Sequence, residues 1–150
     1  MTTSNDTSRP ETEREKTFET LKRDIIVAAR AQGDDPDTNL RLRLALHRAE
    51  QTHMPDDMIE RAHEQGAGEL EAPDYQEVTY EGYGPYDVAV FVESITDDKA
   101  RTQEELGELF EAHGGSLGED GCVAWQFDQQ GLVQVVADTV EDGDAFMLEV

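Results

Sequence analysis

The apolar residues of this chain change their spacing once, near residue 70, and that change constrains the fold more than any other feature. Before it, they recur at three- and four-residue intervals, the period of a helix that buries one stripe. After it, they alternate, the period of a strand. Helices followed by strands with a single intervening helix predict an α+β class: an N-terminal three-helix domain, then a mixed α/β domain. Residues 2–17 contain no Leu, Ile, Val or Phe. Residues 1–17 are therefore expected to be a disordered tail. The first domain is expected over residues 18–70, a linker over residues 71–75 and the second domain over residues 76–150.

Phe18, Leu21, Ile25, Ala28 and Ala29 share one face of a helix over residues 17–31. Gly33, Asp34, Asp35 and Pro36 end it. Residues 38–53 alternate at first but continue without a breaker in good helix formers, which predicts a second helix. Its apolar residues form two stripes, Leu42, Ala45, Leu46 and Ala49 against Leu40 and Leu44, so neighbours are expected on both sides. Pro55 opens a third helix with Asp56 and Asp57 at the positive end of its dipole, and Gly66 and Gly68 stop it.

In the second half, strands are expected over residues 76–81 and 88–94, joined by the turn Gly82-Tyr83-Gly84-Pro85. The second of these strands, apolar on both faces, is expected to be central. A helix over residues 101–113 should turn Leu106, Leu109 and Phe110 inward, with Gly114 and Gly115 after it. Further strands are expected over residues 122–127 and 132–136.

Charge narrows the function classes. Asp plus Glu number 35 against 12 Lys plus Arg, a net charge of −23. That excludes a uniformly basic nucleic-acid module. The acids are dispersed and lysines are few, which fits a surface adapted to concentrated salt. The imbalance is also uneven: residues 1–70 carry net −5 and residues 71–150 net −18. No apolar run approaches the roughly 20 residues of a membrane span, and no secretory signal is visible at the N-terminus, so a cytoplasmic protein without membrane partners is expected.

No motif points to catalysis, a metal or a cofactor. His63-Glu64 lacks the second histidine of a zinc helix, and His47 and His53 do not share a face. Cys122 is a lone cysteine beside acids, where a thiolate is disfavoured. The glycines of residues 114–121 follow a helix and carry two acids, so a helix stop and turn fits them better than a phosphate cradle.

Ten of the twelve basic residues precede residue 62, which places any phosphate-binding face in the helical domain. Arg30, Arg41 and Arg48 have no acid one turn away on their own side, whereas Arg23 is expected to pair with Glu19. Arg43 and Arg61 also belong to the candidate set, with Glu50, and Asp57 and Glu60, close by. Solvated helix faces balancing nearby carboxylates are the competing reading of these arginines. Tyr80, Tyr83 and Tyr86, in a glycine-containing turn, are either a stacking platform for bases or shields of a rigid hairpin.

Several blocks together resemble the YebC family, also called PmpR-like. They are Val27-Ala28-Ala29-Arg30, Asp35-Pro36, Asn39, Arg41-Leu42-Arg43-Leu44-Ala45 and Ile59-Glu60-Arg61-Ala62. The most specific is Tyr80-Glu81-Gly82-Tyr83-Gly84-Pro85, followed by Val88-Ala89-Val90, Arg101-Thr102, His113-Gly114-Gly115 and Asp120-Gly121. The resemblance implies a non-enzymatic, DNA-binding regulator of transcription. As an alternative it implies a ribosome-associated translation factor acting on RNA, since mitochondrial members activate translation. It also implies a third domain inserted in the middle one, so the start of that domain is expected after about residue 131 and the α/β part should be incomplete. Family members begin with a basic stretch, whereas this chain places Glu11, Glu13 and Glu15 there, which leaves a protein-interaction remnant without nucleic-acid binding as a third reading. A shortened paralogue or a truncated product would account for the length. Leu132, Val133, Val135 and Val136, with Phe146, Met147 and Leu148, lack evident partners, and a homo-oligomer formed through the second half is expected from them.

Overall fold

A computed structural model of the chain describes residues 8–132, and the side chains from residue 13 onward. The element order is α1 (Ser8–Gln32), α2 (Leu40–Gln51), α3 (Asp56–Ala67), β1 (Gln76–Tyr83), β2 (Ala89–Thr96), α4 (Lys99–Ala112) and β3 (Ser116–Leu117). This is the α+β arrangement expected from the sequence. The strand expected over residues 132–136, beyond its first residue, and the apolar residues Phe146, Met147 and Leu148 lie outside the described residues.

α1 starts at Ser8, so residues 8–17 extend the helix where a disordered tail was expected. Lack of core-forming side chains does not prevent a helix rich in Glu, Arg and Lys from continuing outward from a packed segment. The Thr17 and Thr20 hydroxyls donate to the carbonyls of Glu13 and Lys16, and the Arg14 guanidinium lies 5.4 Å from the centroid of the Phe18 ring.

The first core forms where α1 crosses α2 and α3. Leu21, Ile25, Ile26, Ala28 and Ala29 of α1 meet Leu42, Ala45 and Ala49 of α2, Met54, and Ala62 of α3. Asn39 ties the corner together. It is fully buried; its side-chain oxygen accepts from the Leu42 amide at 3.0 Å, capping α2. Its Nδ2 donates to the carbonyls of Ala28 at 2.8 Å and Gly33 at 2.7 Å, ending α1. α3 passes so close to α1 that a Cβ on Gly66 would lie 2.6 Å from the Ala29 Cβ and 3.1 Å from the Ile26 carbonyl oxygen. Gly66 is thus a close-packing residue inside α3, and Gly68, at φ 85°, is its C-cap. Leu40 and Leu44 remain 57% and 49% exposed, so the second stripe of α2 is only partly covered among the described residues.

The sheet is antiparallel, ordered β2-β1-β3. β1 pairs with β2 along its whole length, from Gln76 opposite Thr96 to Tyr83 opposite Ala89. Among the described residues β1 is therefore central and β2 an edge, opposite to expectation. Alternation reports which faces of a strand are covered; it is silent about its edges. Part of β2 is covered by Phe127, whose ring centroid is 5.7 Å from that of Phe91. The strand also runs through Gly82 and Tyr83, which were expected to form the turn. Gly82 serves a close approach instead: a Cβ there would lie 2.6 Å from the Ser116 carbonyl oxygen of β3 and 2.8 Å from Phe110 of α4. The turn comes later, as a short 3-10 segment at Pro85–Asp87 closed by a Gly84 amide to Val88 carbonyl bond of 2.8 Å.

α4 is capped by the Asp98 carboxylate, which accepts from the Arg101 amide at 3.0 Å. Its Leu109 points outward, 56% exposed, against the inward placement expected. Residues 122–127 do not form the expected strand; a turn leads into a 3-10 segment at Ala124–Gln126. The cause is Glu81, buried in β1. Its carboxylate accepts from the amides of Gly121 at 2.6 Å, and Val123 and Ala124 at 2.7 Å each. Amides held by a side chain are unavailable to a ladder.

Candidate nucleic-acid interface

α2 presents its arginines because the Asn39 cap sets its rotation and Leu42, Ala45 and Ala49 turn inward. Arg41, Arg43 and Arg48 are left at the surface. Arg41 and Arg48, two turns apart, also line a cleft of about 890 Å³ between the helical domain and the sheet, together with Arg23, Asp24, Glu77 and Glu93. Of the five arginines singled out from sequence, these two alone line that cleft. Arg30 is exposed and donates to the Pro73 carbonyl at 2.9 Å, strapping the linker to α1. Arg61 is exposed on α3 and Arg43 elsewhere on α2. Among the described residues no hydrogen bond or ion pair holds Arg43, Arg48 or Arg61.

Arg41 is paired, and with an acid that local spacing could not reveal. Its guanidinium forks onto both carboxylate oxygens of Glu77 in β1, with Nη1 to Oε2 at 3.1 Å. The pair holds the Glu77 carboxyl below its ordinary range and raises Arg41 above its own. Asp24, half-buried on α1, is pushed upward by burial; the nearby Arg41 and Arg48 charges oppose the shift. Arg23 does not pair with Glu19 as expected. Glu19 accepts from Lys22 at 3.5 Å, while Arg23 donates to the Ile95 carbonyl of β2 at 3.2 Å and lies 5.5 Å from the centroid of Tyr75.

The three tyrosines separate. Tyr80 is buried and donates to the Lys99 carbonyl at 3.1 Å. The hydroxyl of Tyr83 donates to the Cys122 carbonyl, also at 3.1 Å. Tyr86 alone is free, 99% exposed at the tip of the hairpin, with φ 62°. Two of the three are braces, and no shared stacking face joins them. Glu81, within the same motif, was missed as an organising residue. Its signal was an acid in a strand interior, a position that needs a partner once buried. Three backbone donors hold its carboxyl below the ordinary range, the Gly121 amide foremost.

Among the described residues, no group of three or more His, Cys, Asp and Glu is placed to hold a metal ion, and no helix is long and apolar enough to cross a membrane.

The fold is of the α+β class, three helices followed by an antiparallel sheet with one further helix. The profile described as "TACO1/YebC protein N-terminal domain" matches residues 3–69, and that described as "TACO1/YebC second and third domain" matches residues 75–150. The chain belongs to the TACO1/YebC family. It is 47% identical over 137 residues to a protein of Natranaerobius thermophilus named "Probable transcriptional regulatory protein", covering 91% of this chain and 55% of that one. A Thermotoga maritima protein of the same name is 50% identical over 133 residues, covering 89% and 53%. The chain thus spans about half the length of the curated relatives it matches. The crystal structure of a conserved hypothetical protein, Aq1575, from Aquifex aeolicus superposes with a TM-score of 0.71 at 49% identity, covering 75% of this chain and 46% of that one.

Proposed function

We propose that this chain is a non-enzymatic, cytoplasmic regulator of gene expression that binds DNA through the arginine face of α2, with Arg41 and Arg48 at its centre and Arg30, Arg43 and Arg61 at its margins. The observation that carries the reading is the pair of surface arginines Arg41 and Arg48 on one face of a capped helix, with Arg43 exposed on another, in a chain with net charge −23. In so acidic a molecule, a helix with three arginines and one acid is where phosphate meets least repulsion. Side chains that reach phosphates position a protein without reading sequence, so these arginines supply affinity and register. Tyr86 is the one tyrosine of its motif placed to stack on an exposed base.

The decisive measurement is fluorescence anisotropy on labelled duplex DNA and single-stranded RNA, with wild type against Arg41→Glu/Arg48→Glu. The double variant should bind both nucleic acids at least roughly tenfold more weakly, whatever their sequence, and lose about one unit of salt slope per contact removed. Unchanged affinity and slope would remove α2 from the function. Co-sedimentation of the chain with ribosomes, without retention of duplex DNA, would favour a translation factor over a transcriptional regulator.

A further inference from the structure

The arginine at the centre of the α2 face is already occupied. Glu77 reaches Arg41 from β1, 36 positions along the chain, and engages its guanidinium through both carboxylate oxygens. A carboxylate bound by the planar fork of an arginine takes the geometry that a phosphate takes. Both side chains remain accessible, 41% exposed for Arg41 and 54% for Glu77, so solvent and ions reach the pair and exchange is inexpensive. Two turns away, Arg48 lines the same cleft with no ion-pair partner among the described residues.

We propose, on the reading of α2 as the nucleic-acid face, that Glu77 acts as a built-in phosphate mimic that competes with the nucleic-acid backbone for Arg41. While Glu77 holds the Nη1 and Nη2 end of the guanidinium, that end is closed to a phosphate and its charge is partly neutralised. Engagement of nucleic acid therefore releases the ion pair between α2 and β1. By linkage, whatever strengthens that pair weakens nucleic-acid binding, by at most the same factor. The contacts of Arg23 with the Ile95 carbonyl and of Arg30 with the Pro73 carbonyl do not involve Arg41, so they hold the helical domain in place while the pair exchanges. Glu93 lines the same cleft and forms no ion pair with Arg41, which makes it the internal control for a simple loss of negative charge.

The test uses the full chain with labelled duplex DNA and single-stranded RNA of fixed length, by anisotropy across a KCl series. Circular dichroism verifies that each variant is folded. Glu77→Gln should tighten binding about threefold to fivefold, the scale of an exposed ion pair. Glu93→Gln should change it less than twofold. In an Arg41→Gln background, the gain from Glu77→Gln should vanish. Equal gains from Glu77→Gln and Glu93→Gln, a gain that survives without Arg41, or no gain at all would overturn the competition while leaving α2 as the binding face. Failure of every protein, wild type included, to bind either nucleic acid would overturn the α2 reading and the competition with it.

Discussion

Two buried polar residues hold more of this molecule than their number suggests. Asn39 satisfies one donor of α2 and two carbonyls near the end of α1 with a single side chain. Asn39→Ala should cost about 2–4 kcal/mol, from the lost cap and the stranded carbonyls together. The isosteric Asn39→Asp keeps the cap acceptor but sets an oxygen against two carbonyl oxygens, so it should also destabilise strongly. Urea unfolding of both variants measures this, and a wild-type midpoint for either would contradict the geometry. Glu81 acts as the second brace. Its folded carboxyl titrates below its unfolded value, so between the two the unfolded chain binds more protons and stability rises with pH. The contribution is complete above the unfolded value of about 4.3 and is lost as pH falls through the lowered folded one. Glu77 contributes in the same direction, and Asp24, raised by burial, opposes it. Glu81→Gln should therefore lower the melting temperature at pH 7 and flatten its decline in acid. A variant melting curve that parallels wild type from pH 7 to the acid limit would refute this role.

At the scale of elements, close approach decides what each helix and strand tolerates. Two glycines in helix interiors make the point because their surroundings differ. Gly66 faces the Ala29 Cβ across α1, whereas nothing lies within 4 Å of a Cβ built on Gly107 of α4. Alanine gains up to about 1 kcal/mol in helix propensity at either position. At Gly66 the overpacking of α1 against α3, typically about 1–3 kcal/mol, should outweigh that gain. Thermal melts should therefore move in opposite directions, down for Gly66→Ala and up for Gly107→Ala. A stabilised Gly66→Ala would mean that the α1–α3 contact is looser than described. The same logic separates Gly82, a site of close strand and helix approach, from the turn that follows it.

The whole molecule carries its charge unevenly, with net −18 over residues 71–150 against −5 before them. Screening shortens the reach of that self-repulsion from about 10 Å at 0.1 M salt to about 3 Å at 1 M. Raising KCl across this range should raise the melting temperature by roughly 5 °C or more, with ellipticity rising alongside. Circular dichroism across the titration reads both quantities; equal melting temperatures at the two ends would exclude salt adaptation. The arginines of α2 belong to the same picture. Arg41 and Arg48 face the acidic half across the cleft they line with Glu77 and Glu93, and Arg41 has met Glu77 there.

The sequence by itself determined what depends on short-range spacing. The helix stripes of Leu21, Ile25, Ala28 and Ala29 and of Leu42, Ala45 and Ala49, the Asp56-Asp57 start of α3, the strand pair and α4 were all legible, because periods of 3.6 and 2 are set locally by the backbone. The concentration of ten of the twelve basic residues before residue 62 was equally plain, since it is a property of composition. Only the tertiary structure decided which arginine is free and which is paired. Arg41 looked unopposed on its helix, yet its partner is 36 residues away on a strand. It also decided that, among the described residues, β1 and not β2 is central, because edges depend on which distant segment arrives to pair. Residues 122–127 carried a strand-like pattern that Glu81 overrode by taking the amides of Val123 and Ala124 and that of the neighbouring Gly121. Likewise Tyr80 and Tyr83 share a motif with Tyr86 but face backbone carbonyls brought to them by later segments. Local chemistry proposes conformations, and long-range contacts, which no window of neighbouring residues contains, select among them.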